Sequence, residues 1–158
     1  MLRSLVGSEM CIRDRYRILW LSDKKNPWAY TTPDLSQRPQ IVNLCGKTDI
    51  RMLMAILALS DTVVTPVTAP LIIAASLETP TVGLFGAFTP KNRTKYYEKF
   101  TALEGKTHCR PCQEHWTECP YGHPAPCMKS IRPRQVHQAV LHLLEKYPKP
   151  YEYKKPLE

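Results

Sequence analysis

Residues 62–86 read TVVTPVTAPLIIAASLETPTVGLFG, and this stretch decides the predicted fold. TVVT (62–65) and TVGLF (81–85) are short runs rich in β-branched residues, which favour strands. PLIIAASL (70–77) lies between them as an apolar segment of helical length, and Pro70 suits the first turn of a helix. Two strands separated by a buried helix at this spacing indicate a parallel pair joined by a right-handed crossover.

The flanking sequence continues the same alternation of strands and helices. We expect further strands at YRILWL (16–21) and IVNLC (41–45), and helices at RMLMAILALS (51–60) and PRQVHQAVLHLLEK (133–146). Thr48 or Asp49 can cap the first of these helices, and the apolar positions expected to face the core are Leu53, Ile56, Leu57, Leu59, Val136, Val140, Leu143 and Leu144. The predicted fold class is α/β, a Rossmann-like parallel sheet with flanking helices.

The segments outside these elements are expected to be irregular. Residues 22–40 contain three prolines and form a long connection, and residues 87–108 are mixed and basic. The tail at residues 147–158 is rich in proline and charge, so it is predicted to be extended.

The composition is that of one globular domain with a negatively charged partner. The 158 residues are 43% apolar and 23% charged, and the formal net charge is +8. A basic chain of this kind favours phosphate groups, nucleic acid or an anionic membrane face. No apolar run approaches the roughly 20 residues of a membrane-spanning helix. Six cysteines without a secretory signal pattern favour a reducing cytoplasm.

The first 15 residues, MLRSLVGSEMCIRDR, are interpreted as a non-native segment. SLVGSEMCIRDR resembles a translated sequencing-adapter read-through, and a segment of that origin is excluded from reasoning about the fold, together with Cys11. The native product is then expected to begin upstream of Tyr16.

Three blocks follow one another along the chain: NLCGKTD (43–49), ALSDTVVTPVTAPLIIAASLETPTVGLFGAFTP (58–90) and CRPCQEHWTECPYGHPAPCMKSIRPRQV (109–136). In this order they resemble glycosyltransferase family 9, the ADP-heptose:lipopolysaccharide heptosyltransferases. The first block is similar to the family's turn from a strand into a helix, the second to its central block, and the third to its C-terminal cysteine motif. The resemblance covers about two-thirds of the chain.

The resemblance implies that residues 16–146 are the C-terminal lobe of a GT-B glycosyltransferase, the lobe that binds the nucleotide-sugar donor. It implies an ADP-heptose-like donor and a lipopolysaccharide-type acceptor that a missing N-terminal lobe would hold. That lobe would also carry the general base, so no catalytic residue is named here. No metal, cofactor or nucleic-acid partner is expected, and the protein is placed in the cytoplasm, with peripheral contact to the inner membrane face as an option.

The donor is expected to bind where the strands end. A pyrophosphate binds well at a helix N-terminus and to exposed backbone N–H groups that follow a strand. A glycine at a strand end lets a ligand approach the backbone closely, and a lysine supplies positive charge. The predicted donor-binding residues are Lys47, Thr68, Ala69, Pro70 and Gly86, with further positive charge from Lys91 and Arg93.

The chain departs from the family pattern at two positions of this site. The family's central motif has an aspartate and a histidine where this chain has Val67 and Ile72. Aliphatic groups can neither accept a hydrogen bond from a sugar hydroxyl nor donate one to a phosphate. We therefore expect weakened or altered donor binding, and a catalytically silent lobe is one alternative.

The cysteine cluster supports a further alternative. Cys109 and Cys112 have the two-residue spacing of half a zinc site, and Cys119 and Cys127 follow, with His108, His115 and His123 nearby. The default interpretation is reduced structural cysteines, because a second closely spaced pair is absent. The alternative is a basic, zinc-stapled module that binds nucleic acid or protein.

Overall fold

The computed structural model describes residues 16–22, 40–112, 119–122 and 125–149. It contains five strands and four α-helices within these ranges. In chain order they are β1 (Ile18–Trp20), β2 (Ile41–Asn43), α1 (Ile50–Leu59), β3 (Val63–Pro66), α2 (Ala69–Ser76), β4 (Thr81–Phe85), β5 (Phe100–Glu104), α3 (Pro126–Lys129) and α4 (Pro133–Lys146). A short 3-10 helix, Pro90–Asn92, follows β4.

All the strand pairs among the described residues are parallel. The larger sheet has the order β3-β4-β5, in which Val63 pairs with Thr81 and Thr81 pairs with Phe100. β1 and β2 form a separate pair in which Ile18 lies opposite Ile41. β4 is therefore the central strand of the larger sheet, with a neighbour on each edge.

Helices cover the two faces of this sheet. One face presents Val82 and Leu84 to α4, where they pack with Val140 and Leu143. On the opposite face, Val63 of β3 packs in a second cluster with side chains of α1 and α2. These side chains are Leu53, Leu57, Ile73 and Ala74. The α/β class and the parallel sheet with flanking helices are thus confirmed.

Local sequence explains where the helices begin. The Asp49 side chain accepts a hydrogen bond from the Met52 backbone N–H at 2.7 Å, so Asp49 rather than Thr48 caps α1. The N-cap side chains of α2 and α4 accept no such bond, but both helices carry a proline in the first turn, whose fixed φ suits that position. In α4 the Gln135 side chain also accepts a hydrogen bond from the Arg132 backbone N–H at 2.7 Å.

The structure corrects several expectations drawn from sequence. β5 lies within residues 87–108, a segment predicted to be irregular, and α3 was not predicted at all. Leu59 was expected to face the core but is 76% exposed, because α1 ends there and the chain turns away at Ser60. Val64 of β3 is 37% exposed, although strands of a parallel sheet are usually covered by helices on both faces.

Three segments with predicted properties fall outside the described residues. They are the N-terminal segment 1–15, interpreted as non-native, most of the connection at 22–40, and most of the tail at 147–158. Among the residues that are described, no helix has both the length and the apolar character needed to cross a membrane.

We predict that α4 holds the sheet through its buried face. Replacing Leu143 with alanine should lower the free energy of unfolding by about 2–5 kcal/mol, because the deletion leaves a cavity against β4. Leu141 of the same helix is 41% exposed against 2% for Leu143, so Leu141→Ala should cost only about 0.5 kcal/mol. Urea denaturation of both variants measures the difference, and equal losses would contradict this packing.

Candidate functional site

The candidate site lies at the edge of the larger sheet where its strands end. Parallel strands bring their carboxyl ends to the same edge, and ligands of α/β sheets usually bind there. β3 ends at Pro66, β4 at Phe85 and β5 at Glu104. Pro66 pairs with Leu84, so the loop that leads into α2 starts beside the loop that follows β4. The structure therefore brings Thr68, Ala69 and Pro70 to the same edge as Gly86.

The start of α2 offers fewer free donors than its position suggests. The Thr68 N–H already donates to the Pro66 carbonyl at 2.8 Å, and the Leu71 N–H donates to the Thr68 carbonyl at 3.0 Å. Pro70 has no N–H. Among residues 68–71, the N–H of Ala69 is the one without a hydrogen-bond acceptor in the described part of the chain. The exposed Thr68 hydroxyl makes only a long bond of 3.5 Å to the Pro66 carbonyl, so it is a second donor that this helix start can offer an anion.

Gly86 does allow a close approach, but in the structure another part of the protein makes it. A Cβ atom at Gly86 would lie 2.9 Å from Met128 Sδ and 3.2 Å from Cys127 Sγ, both in α3. Gly105, just after β5, is tighter still, since a Cβ there would lie 2.1 Å from the Cys127 carbonyl oxygen. These two glycines therefore let α3 sit against the ends of β4 and β5.

Arg110 crosses the same edge and was not singled out from sequence. Its guanidinium donates to the backbone carbonyls of Gly86, Phe88 (2.9 Å) and Gly105 (2.6 Å), and it pairs with Glu104 at 3.0 Å. The side chain is only 10% exposed. The sequence feature that could have pointed to Arg110 is its place inside the Cys-x-x-Cys segment. The sequence does not show which backbone carbonyls the side chain contacts.

The cationic residues predicted to bind the donor lie in different loops. Lys47 lies in the turn between β2 and α1, where its Nζ donates to the Asn43 carbonyl at 3.1 Å. Among the described residues no hydrogen bond or ion pair joins it to the loops at Thr68 or Gly86. Arg93 lies in the exposed segment after β4, with its guanidinium 4.3 Å from the centre of the Phe88 ring.

The two positions that depart from the family pattern flank the start of α2. Val67 is half-buried just before the helix, and Ile72 is 53% exposed in its first turn. An exposed isoleucine contributes little packing, so the space beside Ile72 is open to solvent. The structure thus places an apolar surface next to the Ala69 N–H.

The cysteines are free thiols within the described ranges. Burial is the main cause that raises the pKa of the Cys127 thiol; the Met128 backbone opposes this rise, and the nearby Cys109 and Cys119 add to it. In the described ranges, no three Cys, His, Asp or Glu side chains are arranged to hold a metal ion. His115 and His123 lie outside those ranges, so the zinc-stapled alternative gains no support and stays a prediction.

We predict that the packing of α3 against the strand ends tolerates a methyl group at Gly86 but not at Gly105. Gly105→Ala forces the added carbon against backbone and should lower the free energy of unfolding by about 3 kcal/mol. Gly86→Ala meets mainly the flexible Met128 side chain, so about 1 kcal/mol is expected. Denaturant unfolding compares the two variants, and a larger loss at Gly86 would contradict this geometry.

The raised pKa of Cys127 gives a prediction about pH. Only the thiolate reacts with iodoacetamide, so a raised pKa moves its alkylation to higher pH. The alkylation rate of Cys127, followed by mass spectrometry, should therefore rise at a higher pH in the folded protein than in the denatured protein. If the alkylation rate of the folded protein rose at the same pH as that of the denatured protein, or at a lower pH, burial would not protect this thiol.

Comparison with known proteins identifies the family. Residues 11–122 match glycosyltransferase family 9 (heptosyltransferase). The chain is 30% identical over 111 residues to lipooligosaccharide heptosyltransferase 2 of Campylobacter jejuni, and the alignment covers 69% of this chain and 34% of that protein. The match to residues 11–122 starts inside the segment interpreted as non-native and ends before Cys127.

A solved structure shares the fold. The structure of E. coli ADP-heptose lps heptosyltransferase II superimposes with a TM-score of 0.62 at 20% sequence identity, covering 83% of this chain and 37% of that one. The chain spans about a third of the length of both relatives. Since the family match extends over more than half of its residues, the chain belongs to glycosyltransferase family 9.

Proposed function

We propose that residues 16–146 are the donor-binding lobe of a GT-B glycosyltransferase and bind a nucleotide sugar at the ends of β3 and β4. The observation that carries this proposal is the family match across residues 11–122, which includes both strand-end loops. The meeting of these loops at one edge of a parallel sheet supports it, because such edges bind nucleotides in α/β folds.

The substrates follow from the relatives. One relative is named a lipooligosaccharide heptosyltransferase and the other an ADP-heptose lps heptosyltransferase. We therefore propose an ADP-heptose-like donor and a lipopolysaccharide-type acceptor. The acceptor and the general base would belong to a lobe outside these 158 residues, and we assign no catalytic residue within the chain.

The donor's phosphates are proposed to lie at the start of α2. The Ala69 N–H and the Thr68 hydroxyl can donate to a phosphate oxygen, and the positive end of the α2 dipole attracts its charge. As the nucleotide departs, the same groups would stabilise its growing negative charge without having to move. Lys47 adds long-range attraction, as does the net charge of +8.

We propose a cytoplasmic location, since a reducing compartment would keep the six cysteines of the chain as thiols. The same positive charge is compatible with peripheral contact to the anionic inner face of the cytoplasmic membrane. Vesicle binding that weakens as salt rises would support that contact.

A catalytically silent lobe is a second candidate, favoured by Val67 and Ile72. These side chains supply neither an acceptor for a sugar hydroxyl nor a donor for a phosphate, so the Thr68 hydroxyl is the polar side-chain group that remains beside the Ala69 N–H. A silent lobe would keep the fold and a weak affinity for nucleotide but lose selectivity for the sugar.

Titration of the chain with ADP, ADP-sugar, UDP and UDP-sugar tests these proposals. We expect weak binding of a nucleotide by the wild-type chain and tighter binding of ADP-sugar by the double variant Val67→Asp, Ile72→His. A new charge-assisted hydrogen bond should improve affinity about tenfold or more. Calorimetry gives the dissociation constants, and a chain that binds none of the four ligands would rule out a working donor site.

The matched control separates the site from the rest of α2. Leu77 is exposed at the far end of the helix, so the double variant Val67→Asp, Leu77→His adds the same two groups but directs the imidazole away from the site. This control should gain less affinity than Val67→Asp, Ile72→His. If both variants gain equally, the gain comes from the shared Val67→Asp substitution or from long-range charge, and Ile72 does not adjoin the donor.

A further inference from the structure

Arg110 joins three separate stretches of backbone at the carboxyl edge of the sheet. Its Nε and one terminal nitrogen reach Gly86 and Phe88 in the loop after β4, and the other terminal nitrogen reaches Gly105 after β5. All three acceptors are backbone carbonyls. A planar guanidinium with its donors in a fixed fork can span them, whereas an ammonium group cannot.

These contacts bind the carbonyls of the loop after β4, whose other contacts include α3 against Gly86 and Arg93 over the Phe88 ring. Residues 86–89 belong to neither a strand nor a helix, so neighbouring strands do not satisfy their carbonyls. The guanidinium satisfies two of these carbonyls at once and ties the loop to Gly105. Glu104 pairs with Arg110 on the exposed side, where solvent weakens the ion pair, so the three carbonyl bonds are what fix the guanidinium.

The loop that Arg110 fixes starts beside the loop that leads into α2. Pro66, the last residue of β3, is the register partner of Leu84, so the chain leaves β3 and β4 at neighbouring points of the edge. A shift of residues 86–88 would therefore change the wall next to the Ala69 N–H. Because four of its five N–H groups are already engaged, Arg110 has little capacity to bind a phosphate directly.

We propose that Arg110 is a positioning residue for the donor site: it holds residues 86–88 where they form one wall of the nucleotide pocket. This inference rests on the proposed function. It gives the first part of the cysteine motif a role in ligand binding that does not depend on a metal.

The test compares Arg110→Lys with a control at the same edge. Arg110→Lys keeps the charge but loses the fork, so ADP affinity should fall about tenfold. Ser130 also stabilises this edge, because its hydroxyl donates to the Cys127 carbonyl and accepts from the Lys106 N–H, but it does not touch residues 86–88. Ser130→Ala should therefore lower stability and leave ADP affinity within about twofold of the wild type.

Two further measurements separate the carbonyl bonds of Arg110 from its ion pair and from general stability. Glu104→Gln removes the ion pair but leaves the three carbonyl bonds, so its ADP affinity should stay within about twofold. Amide hydrogen exchange of residues 86–88 should be faster in Arg110→Lys than in the wild type and unchanged in Ser130→Ala.

The outcomes separate this inference from the proposed function. A wild-type chain that binds ADP, together with an Arg110→Lys variant that binds it equally well, would overturn the positioning role alone. A loss of affinity in Ser130→Ala as large as in Arg110→Lys would reduce Arg110 to a purely structural residue, and so would a similar loss in Glu104→Gln. A wild-type chain that binds neither ADP nor UDP would overturn the proposed function and this inference with it.

Discussion

The burial of β4 on both faces is the constraint on which the rest of the structure depends. Thr81, Val82 and Phe85 are almost fully buried, so every side chain of this strand needs either an apolar neighbour or a hydrogen bond. Thr81 meets this need by donating its hydroxyl to the Thr79 carbonyl at 2.7 Å. A strand without a solvent face requires a helix layer on each side and a strand on each edge, and the order β3-β4-β5 between α2 and α4 provides them.

The same constraint divides the carboxyl edge into a filled part and an open part. At the ends of β4 and β5, α3 packs against the buried glycines Gly86 and Gly105. The Arg110 guanidinium donates hydrogen bonds to the carbonyls of the same two glycines. At the end of β3, Thr68 and Ala69 remain exposed. The edge strand thus keeps the accessible groups, while the central strand supplies a rigid wall. This arrangement is suited to holding a small anionic group beside a fixed surface.

Sequence patterns predicted the elements whose signals are local. The limits of β4 and α4 agree with expectation because an apolar run and a proline at the first turn mark them. β5 was missed because FTALE mixes polar and apolar residues, and its strand form depends on pairing with β4. The roles of Arg110 and α3 were missed for a similar reason. Their partners are backbone atoms distant in sequence, and no spacing of residue types encodes such contacts.

Under the proposed function, the chemistry left at the start of α2 favours recognition of the nucleotide over the sugar. A backbone N–H and a helix dipole interact with any phosphate oxygen, so they attract every nucleotide diphosphate similarly. Selection of a sugar needs polar side chains that go unpaired when the wrong sugar binds, because that penalty is what separates close analogues. Val67 and Ile72 impose no such penalty, since neither carries a polar atom that could be left without a partner. Discrimination between sugars must therefore come from groups other than these two side chains.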